Sequence, residues 1–467
     1  MIDHLETYIG GYMFLALAIL LFTGLPVGMV LGGTALVFGA IGIWLDITTM
    51  LDFYLFVERL WQGAAENPVL VAIPCFIFMG TMLERSQVAS DLLDCLNVLL
   101  RRIPGGLALA VTLMGTIMAA TTGIIGASVV MMTMMALPKM LDQQYDPQLA
   151  TGTLAASATL GILIPPSIML VIMADLLAVS VGNLFVGAVI PGLMLSMMYF
   201  LYIAGRCWIN PALAPKPSSK FDAMSTADVA RILLRGLLPP VFLISLVLGS
   251  IFAGWATPTE AAGVGGFGAI LLAIYNRKLN RETLSDTCHR TTQTTAMIFF
   301  IFMGATSFSY MFRALYGEDL IIEFIDWLEL GPWGLLTVIL VVVFLLGFFF
   351  DWIEITLIIL PVFGPILAEQ APMFIEHIGA EGLLGSDAQK QVIYWFAILF
   401  AINLQTSFLT PPFGFALFYM KGAAPTSVAM IDIYKGIIPF VLLQLAGLLA
   451  VVFWPQIALY LPSIALQ

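Results

Sequence analysis

Charged residues are scarce in this sequence. They make up 10% of it, against 61% hydrophobic residues, and the mean hydropathy is +1.02. A chain with so few polar side chains cannot cover a globular fold with water-compatible surface. The composition therefore predicts an integral membrane protein. The formal net charge of −11 carries no argument about nucleic acid, because in membrane proteins the placement of charges matters more than their sum.

Histidine and cysteine are also rare. The three histidines, His4, His289 and His377, all fall outside the apolar segments, and the four cysteines form neither a CxxC pair nor a metal-type spacing to histidine. This excludes a disulfide framework, a zinc site and a membrane-embedded enzyme that would need a nucleophile with a base or a metal cluster. Before the first span the chain carries Asp3, His4 and Glu6 but no basic residue, so we expect that span to be retained and not cleaved as a signal peptide.

Long apolar runs, in contrast, are abundant. A span needs about 20 apolar residues, and windows of that size predict ten spans, near 7–23, 26–45, 68–84, 149–174, 184–204, 236–253, 258–275, 292–312, 393–420 and 435–455. Residues 211–235 between them contain the polar stretch Pro215 to Ser225 and are predicted to form a cytoplasmic linker.

Two further apolar segments, 105–138 and 331–368, do not fit single spans. As one straight helix the first would be about 51 Å long at ~1.5 Å per residue, against a hydrocarbon core of about 30 Å. Its flanks, Arg101-Arg102 and Lys139, are both basic, whereas the second segment has acidic flanks. By the positive-inside rule each segment enters and leaves by the same face, so we predict two re-entrant helical hairpins that open to opposite sides.

The distribution of basic residues supports one topology. With both termini outside, all but three of the 18 Lys and Arg fall on the cytoplasmic side, the exceptions being Arg59, Arg313 and Lys390. Amphipathic stretches at 85–104 and 317–329 precede the hairpins, and each is predicted to be a helix at the membrane surface, either bracing a moving domain or simply connecting two elements.

The two halves of the chain repeat one another. Short strings recur in the same order: Phe-Met-Gly at 78–80 and 302–304, Leu-Pro at 137–138 and 360–361, and Pro-Pro at 165–166 and 411–412. We therefore predict an all-α polytopic fold of two inverted repeats, residues 1–210 and 236–467, each with one hairpin and one broken span. Inverted repeats are common in carriers that work by alternating access.

The proline pairs are predicted to break the spans 149–174 and 393–420. Proline lacks an amide hydrogen and clashes with the preceding turn, and unpaired backbone groups at membrane depth are tolerated only inside protein or beside a wet cavity. Paired breaks in corresponding halves point to a transporter's binding site, although simple packing kinks are the alternative. No basic residue lies in the predicted interior of a span, so freed backbone groups must bind an anion with the help of hydroxyl and amide side chains. The candidate substrate ligands are Thr122, Ser128, Ser167, Asn403, Gln405 and Thr410.

Asp351 lies at the predicted tip of the second hairpin, with Glu354 one turn further on. An acidic residue at membrane depth is costly and indicates function. Asp351 is predicted either to balance a sodium ion or to cap the helix that follows it, and the two roles are compatible.

Several motifs resemble one known family, the large membrane subunit of tripartite ATP-independent periplasmic (TRAP) transporters. These are Gly161–Ser167, Asn403-Leu404-Gln405 followed by Thr410-Pro411-Pro412 and Gly414, Thr257-Pro258-Thr259-Glu260, and the hairpin pattern Gly347, Asp351 and Leu360-Pro361. The resemblance extends over nearly the whole chain. It implies a sodium-coupled elevator-type carrier of organic acids in the bacterial inner membrane, whose moving domain contains the hairpins and broken spans and whose scaffold contains the other spans.

The resemblance also implies partners and ion sites. The partners are a small four-helix membrane subunit, a periplasmic substrate-binding protein and membrane lipid. The alternative function is a stand-alone sodium/carboxylate carrier that needs no binding protein. Sodium is expected between each hairpin tip and its broken span, at Gly123, Gly126, Ser128, Thr159, Gly161 and Pro165, and at Gly347, Asp351, Thr406, Thr410 and Gly414. The family's usual Ser-Gly-Ser-Ser first tip is Thr122-Gly123-Ile124-Ile125 here, which leaves open which side chains reach the first ion.

Overall fold

The computed structural model describes residues 2–122, 125–215, 226–380, 385–411 and 414–465, and within them the regular structure is helical. The first half contains α1 (Ile2–Leu21), α2 (Val27–Trp44), α3 (Met50–Leu60), α4 (Ala72–Arg85), α5 (Val88–Leu100), α6 (Gly106–Thr122), α7 (Ile125–Asp142), α8 (Pro147–Thr159), α9 (Ile168–Leu176) and α10 (Val181–Ile209). The second half contains α11 (Thr226–Phe252), α12 (Pro258–Tyr275), α13 (Arg281–Ala314), α14 (Gly317–Trp327), α15 (Pro332–Leu346), α16 (Trp352–Gln370), α17 (Ile375–Ile378), α18 (Gly385–Leu409), α19 (Phe415–Ala423), α20 (Met430–Phe453) and α21 (Gln456–Ala465).

Ten helices of the described chain are long and apolar enough to cross a membrane. Seven of them contain, wholly or nearly so, the spans predicted at 26–45, 68–84, 184–204, 236–253, 258–275, 292–312 and 435–455, and an eighth, α18, is the first part of the broken span 393–420. The other two are α7 and the helix beginning at Trp352, the second legs of the predicted hairpins. Length and composition do not separate a crossing leg from a re-entrant one, which is why the flanking charges are needed.

The order of elements confirms the repeat. Each half has three long helices, a short amphipathic helix, a two-helix hairpin, a broken helix and a final long helix, in that order. The first series runs from α1 to α10 and the second from α11 to α20, and the short helices α3 and α17 are additions to one half each. Each contact between the halves has a counterpart in which the two equivalent helices are swapped. The packing of α4 on α12 corresponds to that of α13 on α2, and the packing of α5 on α11 to that of α14 on α1. In the same way, α7 on α19 corresponds to α16 on α9, and α8 on α20 to α18 on α10. This reciprocal packing is what a pseudo-two-fold relation between the halves produces.

The amphipathic segments are helices α5 and α14, each placed before a hairpin. On α5 the buried face includes Leu92, Leu93, Leu96 and Leu100, and the chain turns by 118° between α14 and α15 as it enters the second hairpin. The linker is shorter than predicted because α11 already begins at Thr226, and its residues 216–225 lie outside the described part of the chain.

The interior contains polar groups but no charges. Among the described residues the buried polar side chains are Thr, Ser, Gln and Asn, and none is Lys, Arg, Asp or Glu. Helices approach closely where glycines face each other. A Cβ added at Gly304 of α13 would lie 2.6 Å from the Gly28 carbonyl oxygen of α2. Such small residues let helix backbones pack without side chains between them, as is common in membranes.

Candidate substrate and ion site

The first broken span separates where the proline pair predicts. Helix α8 ends at Thr159, one 3-10 turn covers Leu160–Ile162, and α9 begins at Ile168. Proline nitrogens carry no hydrogen, so Pro165 and Pro166 cannot donate to the carbonyls four residues earlier, those of Gly161 and Ile162.

The two freed carbonyls differ in what replaces the lost donor. The Ser167 hydroxyl donates to the Ile162 carbonyl at 2.6 Å. Ser167, predicted as a substrate ligand, therefore holds the break in shape in this structure. Gly161 is buried, and the proline pair leaves its carbonyl oxygen without the donor that a continuous helix would supply.

The second broken span has the same construction. Helix α18 ends at Leu409 and α19 begins at Phe415, with Gly414 at its N-cap. The Pro411-Pro412 pair, whose second member lies outside the described residues, removes the helical donors of the Ser407 and Phe408 carbonyls. The Ser407 carbonyl instead accepts the Thr410 amide at 3.1 Å. A side chain at position 414 would overlap the Phe408 carbonyl oxygen, so the turn back toward that oxygen requires glycine.

The two broken spans meet at Gln405. Its side-chain nitrogen Nε2 lies 3.4 Å from both the Thr159 hydroxyl of α8 and the Tyr199 hydroxyl of α10. The residue is fully buried, and its Oε1 has no hydrogen-bond partner among the described residues. An unpaired buried acceptor costs free energy and calls for an explanation, a missing ligand being one.

The second hairpin tip packs directly on the second broken span. Gly347 is the C-cap of α15, and any side chain there would overlap Ser407 of α18. Asp351 then caps α16: its Oδ1 accepts the Trp352 amide at 2.8 Å, and its own amide donates to Glu354 Oε2 at 3.3 Å. The capping role is thus present, and the remaining carboxylate lone pairs still allow a bond to a cation.

Three other predicted ligands in this span already make bonds within the fold. Asn403 Nδ2 donates to the Leu340 carbonyl of α15 at 2.7 Å. The Thr406 and Thr410 hydroxyls donate to the preceding turn, at Ile402 and Thr406, both at 2.8 Å. A hydroxyl that donates its hydrogen keeps lone pairs for a cation, whereas Asn403 is committed to fixing the hairpin against the broken span.

The first tip is described only in part. Thr122 ends α6, but its side chain and Gly123 lie outside the described residues. Gly126 is the second residue of α7, and a Cβ there would lie 3.0 Å from ring atoms of Tyr419 on α19. Ser128 is buried one turn or less from that contact.

Sequence reasoning missed two tyrosines. Tyr419 lies about one turn after the second break and packs against the first tip, within electrostatic reach of Asp351 and Glu354 at the second. Its position soon after Pro411-Pro412 was a usable signal. Tyr199 lies in the middle of α10 with no motif around it, and only the three-dimensional packing reveals its contact with Gln405.

The available ligand atoms are neutral oxygens with the acidic groups of Asp351 and Glu354 beside them. Among the described residues no cluster of three or more His, Cys, Asp or Glu is present. Main-chain carbonyls, hydroxyls and an amide oxygen suit a hard monovalent cation, and unwound backbone carbonyls play this role in other carriers.

Comparison with known proteins decides the family. The family model described as "Tripartite ATP-independent periplasmic transporter, DctM component" matches residues 14–457. The chain belongs to this DctM family. It is therefore a multi-pass permease of the bacterial inner membrane and not an enzyme.

Named relatives of this DctM chain carry different solutes. The C4-dicarboxylate TRAP transporter large permease protein DctM of Pseudomonas aeruginosa is 31% identical, covering 85% of this chain and 87% of the relative. The ectoine/5-hydroxyectoine large permease protein UehC of Ruegeria pomeroyi is 27% identical over 97% and 98% of the two chains. The sialic acid large permease protein SiaM of Vibrio cholerae is 26% identical over 96% and 97%.

The fold is also similar to that of a solved transporter. The crystal structure of the YdaH transporter of Alcanivorax borkumensis matches with a TM-score of 0.58 and 15% identity, covering 88% of this chain and 87% of that one. At this identity the likeness supports the fold alone.

Proposed function

We propose that this DctM permease imports a small carboxylate together with sodium ions. The observation that carries the proposal is Gln405. Its amide oxygen is buried at the point where the two broken spans meet, and no described residue forms a hydrogen bond with it. A buried acceptor that the fold leaves unpaired is an expected feature of a site completed by a ligand.

Sodium would bind on both sides of this point. Beside the first tip, the proline-freed carbonyl of Gly161 and the Thr159 hydroxyl supply oxygens. Beside the second, Asp351 and the carbonyls around Thr406–Gly414 supply them, with the acidic charge offsetting that of the cation. A sodium ion bound at each tip would raise the local positive charge, which would favour an anionic solute between them.

The carboxylate would be held without a buried arginine or lysine. Helices α9 and α19 both begin at the breaks, and their first turns offer free amide groups and the positive end of a helix dipole. The hydroxyl groups near the breaks would orient the rest of the solute. Which organic acid fits is open, since the named relatives carry dicarboxylate, ectoine and sialic acid.

Delivery would follow the three-part scheme in the family's name. In this scheme a periplasmic binding protein hands the solute to the permease, and a small four-helix membrane subunit completes the complex. Alternating access would move the hairpins and broken spans, here called the transport domain, against a scaffold of the remaining long helices. The alternative is a stand-alone carrier that takes its carboxylate directly from the periplasm.

Reconstitution tests the proposal. The permease and its small subunit are placed in liposomes, and uptake of labelled succinate, ectoine and sialic acid is measured with and without the purified binding protein, under an inward gradient of sodium or of potassium. We expect uptake only with sodium and the binding protein. Equal uptake with potassium would overturn the sodium coupling, and undiminished uptake without the binding protein would favour the stand-alone carrier.

An Asp351→Asn variant sharpens the sodium test. Asparagine caps a helix as well as aspartate does, so the protein should keep its thermal stability while the sodium concentration for half-maximal uptake rises severalfold. An unchanged sodium response would remove Asp351 from the ion site.

A further inference from the structure

A cavity of about 970 Å³ lies between α3, the end of α13 and α16, the second leg of the second hairpin. Its walls include Arg59 on α3, Ser309 and Arg313 on α13, and Leu357, Pro361 and Pro365 on α16. The cavity is thus bounded by scaffold on one side and by the transport domain on the other.

Two of the three α16 residues that line this cavity are prolines, which have no main-chain amide hydrogen. Leu357, Pro361 and Pro365 follow one another at intervals of four, so they lie along one helix face. Pro361 cannot donate to the Leu357 carbonyl, and Pro365 cannot donate to the Pro361 carbonyl. The helix nevertheless continues from Trp352 to Gln370, and the two carbonyls are left without their helical partners.

Arg313 supplies one of the missing donors from across the cavity. Its Nη2 donates to the Pro361 carbonyl oxygen at 3.0 Å, and its Nε donates to Glu318 Oε1 at 2.6 Å. Glu318 belongs to α14, so the ion pair fixes the guanidinium in the direction of α16. Arg313 is also one of the three basic residues that the positive-inside rule leaves on the outer side, where membrane topology gives no reason for a basic residue.

The surrounding charges argue against an anion-binding vestibule. Asp52 and Asp175 line the same cavity as Arg59 and Arg313, so the lining carries as many negative as positive groups. Arg313 itself is already engaged by Glu318. The specific contact in this cavity is therefore the bond to α16 and not an empty cationic pocket.

We propose that Arg313 is a positioning residue that clasps the transport domain to the scaffold through the Pro361 carbonyl, and that Pro365 creates the clasp by leaving this carbonyl without a helical donor. The proposal rests on the proposed function, in which the hairpin moves against α13. Movement of α16 breaks the bond. In the wild type the released carbonyl then has no donor within its own helix, which adds to the cost of leaving this arrangement.

A double-mutant cycle tests the clasp. Ser309→Cys, on the cavity wall, is labelled from outside with a membrane-impermeant thiol reagent in proteoliposomes, and the labelled peptide is quantified by mass spectrometry, so the native cysteines need not be replaced. The rate is measured with Arg313→Gln, with Pro365→Ala and with both. Because Arg313 is about half exposed, we expect Arg313→Gln to raise the labelling rate by about threefold to tenfold.

Pro365→Ala should act through the same bond. It restores an amide that can donate to the Pro361 carbonyl, so release from Arg313 leaves that carbonyl paired, and labelling should again rise. The double variant should label no faster than Arg313→Gln alone, because no bond remains to be weakened. Arg313→Lys keeps a charged donor, so its labelling rate should lie between those of the wild type and Arg313→Gln. The substrate KM and the thermal stability of all these variants should stay near wild type.

Two variants serve as matched controls. Pro361→Ala restores the donor of the Leu357 carbonyl, which Arg313 does not contact. Arg59→Gln removes the other arginine of the cavity. Both variants should be labelled at a rate within about twofold of wild type. The clasp is refuted if Arg313→Gln is labelled at a rate within twofold of wild type. It is also refuted if the increases in labelling rate caused by Arg313→Gln and Pro365→Ala multiply in the double variant. Sodium-driven uptake, measured in the same liposomes, distinguishes failure of the clasp from failure of the proposed function. If the wild type takes up substrate with sodium, an unchanged labelling rate refutes the clasp alone. If the wild type shows no sodium-driven uptake, the proposed function is refuted.

Discussion

At the scale of single residues, Gln405 gives the sharpest prediction. If its Oε1 is unpaired because a ligand completes it, then Gln405→Leu removes a buried unsatisfied acceptor, which offsets the loss of the two long 3.4 Å bonds from Nε2 to Thr159 and Tyr199, and the melting temperature should change little. Uptake should nevertheless fall at least about tenfold, the effect of losing one well-placed buried polar contact to the solute or ion. Thermal unfolding and initial uptake rates, measured on the same preparation, check both parts.

The neighbouring residue Asn403 is the contrasting case. Its amide already bonds to the Leu340 carbonyl, so Asn403→Leu should lower stability by about 1 kcal/mol. If both variants lose stability and transport together, Gln405 is a structural residue and the argument for the site loses its main support.

How much of the site could be predicted is clear from these residues. The location of Gly161 and Gln405 beside the breaks could be predicted, because prolines at fixed spacing free known carbonyls and because a glutamine in a span needs partners; their role in binding stays a prediction. The bonds made by Ser167 and Asn403 could not, since a side chain's partner depends on packing between elements distant in sequence. Tyr199 shows the same limit, because nothing in its local sequence distinguishes it from a core aromatic.

At the scale of elements, the proline pairs show what a local pattern decides. Two pairs end their helices as predicted, but a third, Pro239-Pro240, lies inside α11, which runs unbroken from Thr226 to Phe252. The dipeptide alone therefore does not break a helix. At the two breaks a further residue accommodates the change of direction: Ser167 takes over a lost donor, and Gly414 allows the chain to turn against the Phe408 carbonyl.

The third pair is also a matched control for the first. Replacing Pro165-Pro166 with Ala-Ala restores two amides and should let α8 continue toward α9, so sodium-driven uptake should be abolished while the protein still folds. The same replacement at Pro239-Pro240 should keep uptake and should not lower stability, because proline is unfavourable in a helix interior. Wild-type uptake in the first variant would mean that the break is only a kink.

At the scale of the whole molecule, the repeat could be predicted because it rests on order and not on contacts. The recurring strings and the two hairpins with flanks of opposite charge were enough to pair α4 with α13 and α8–α9 with α18–α19. The reciprocal packing of α4 on α12 and α13 on α2 could not be predicted, since it depends on which faces carry small residues such as Gly28 and Gly304.

The repeat also makes a prediction about sidedness. If each hairpin returns to the face it entered, each half contains five crossings. The linker then lies opposite the N-terminus, and the C-terminus lies on the same side as the N-terminus. From the distribution of basic residues we predict a cytoplasmic linker and both termini outside. Short epitopes after Arg102, at Gln143-Gln144, within 216–220 and after Gln467 report each side through protease protection in right-side-out spheroplasts, and uptake confirms that each tagged protein is folded.

We expect protease to remove only the C-terminal epitope in intact spheroplasts and all four after permeabilisation. The pair after Arg102 and at Gln143-Gln144 is decisive, because these positions flank the first hairpin. If they lie on opposite sides, residues 105–138 cross the membrane. In that case the Gly123–Ser128 tip would not return toward Thr159, and the proposed ion site at the first break would lose one of its two walls. If both are protected, residues 105–138 return to the cytoplasmic face as the charges at Arg101-Arg102 and Lys139 predict, and the first tip can approach the first break from that face.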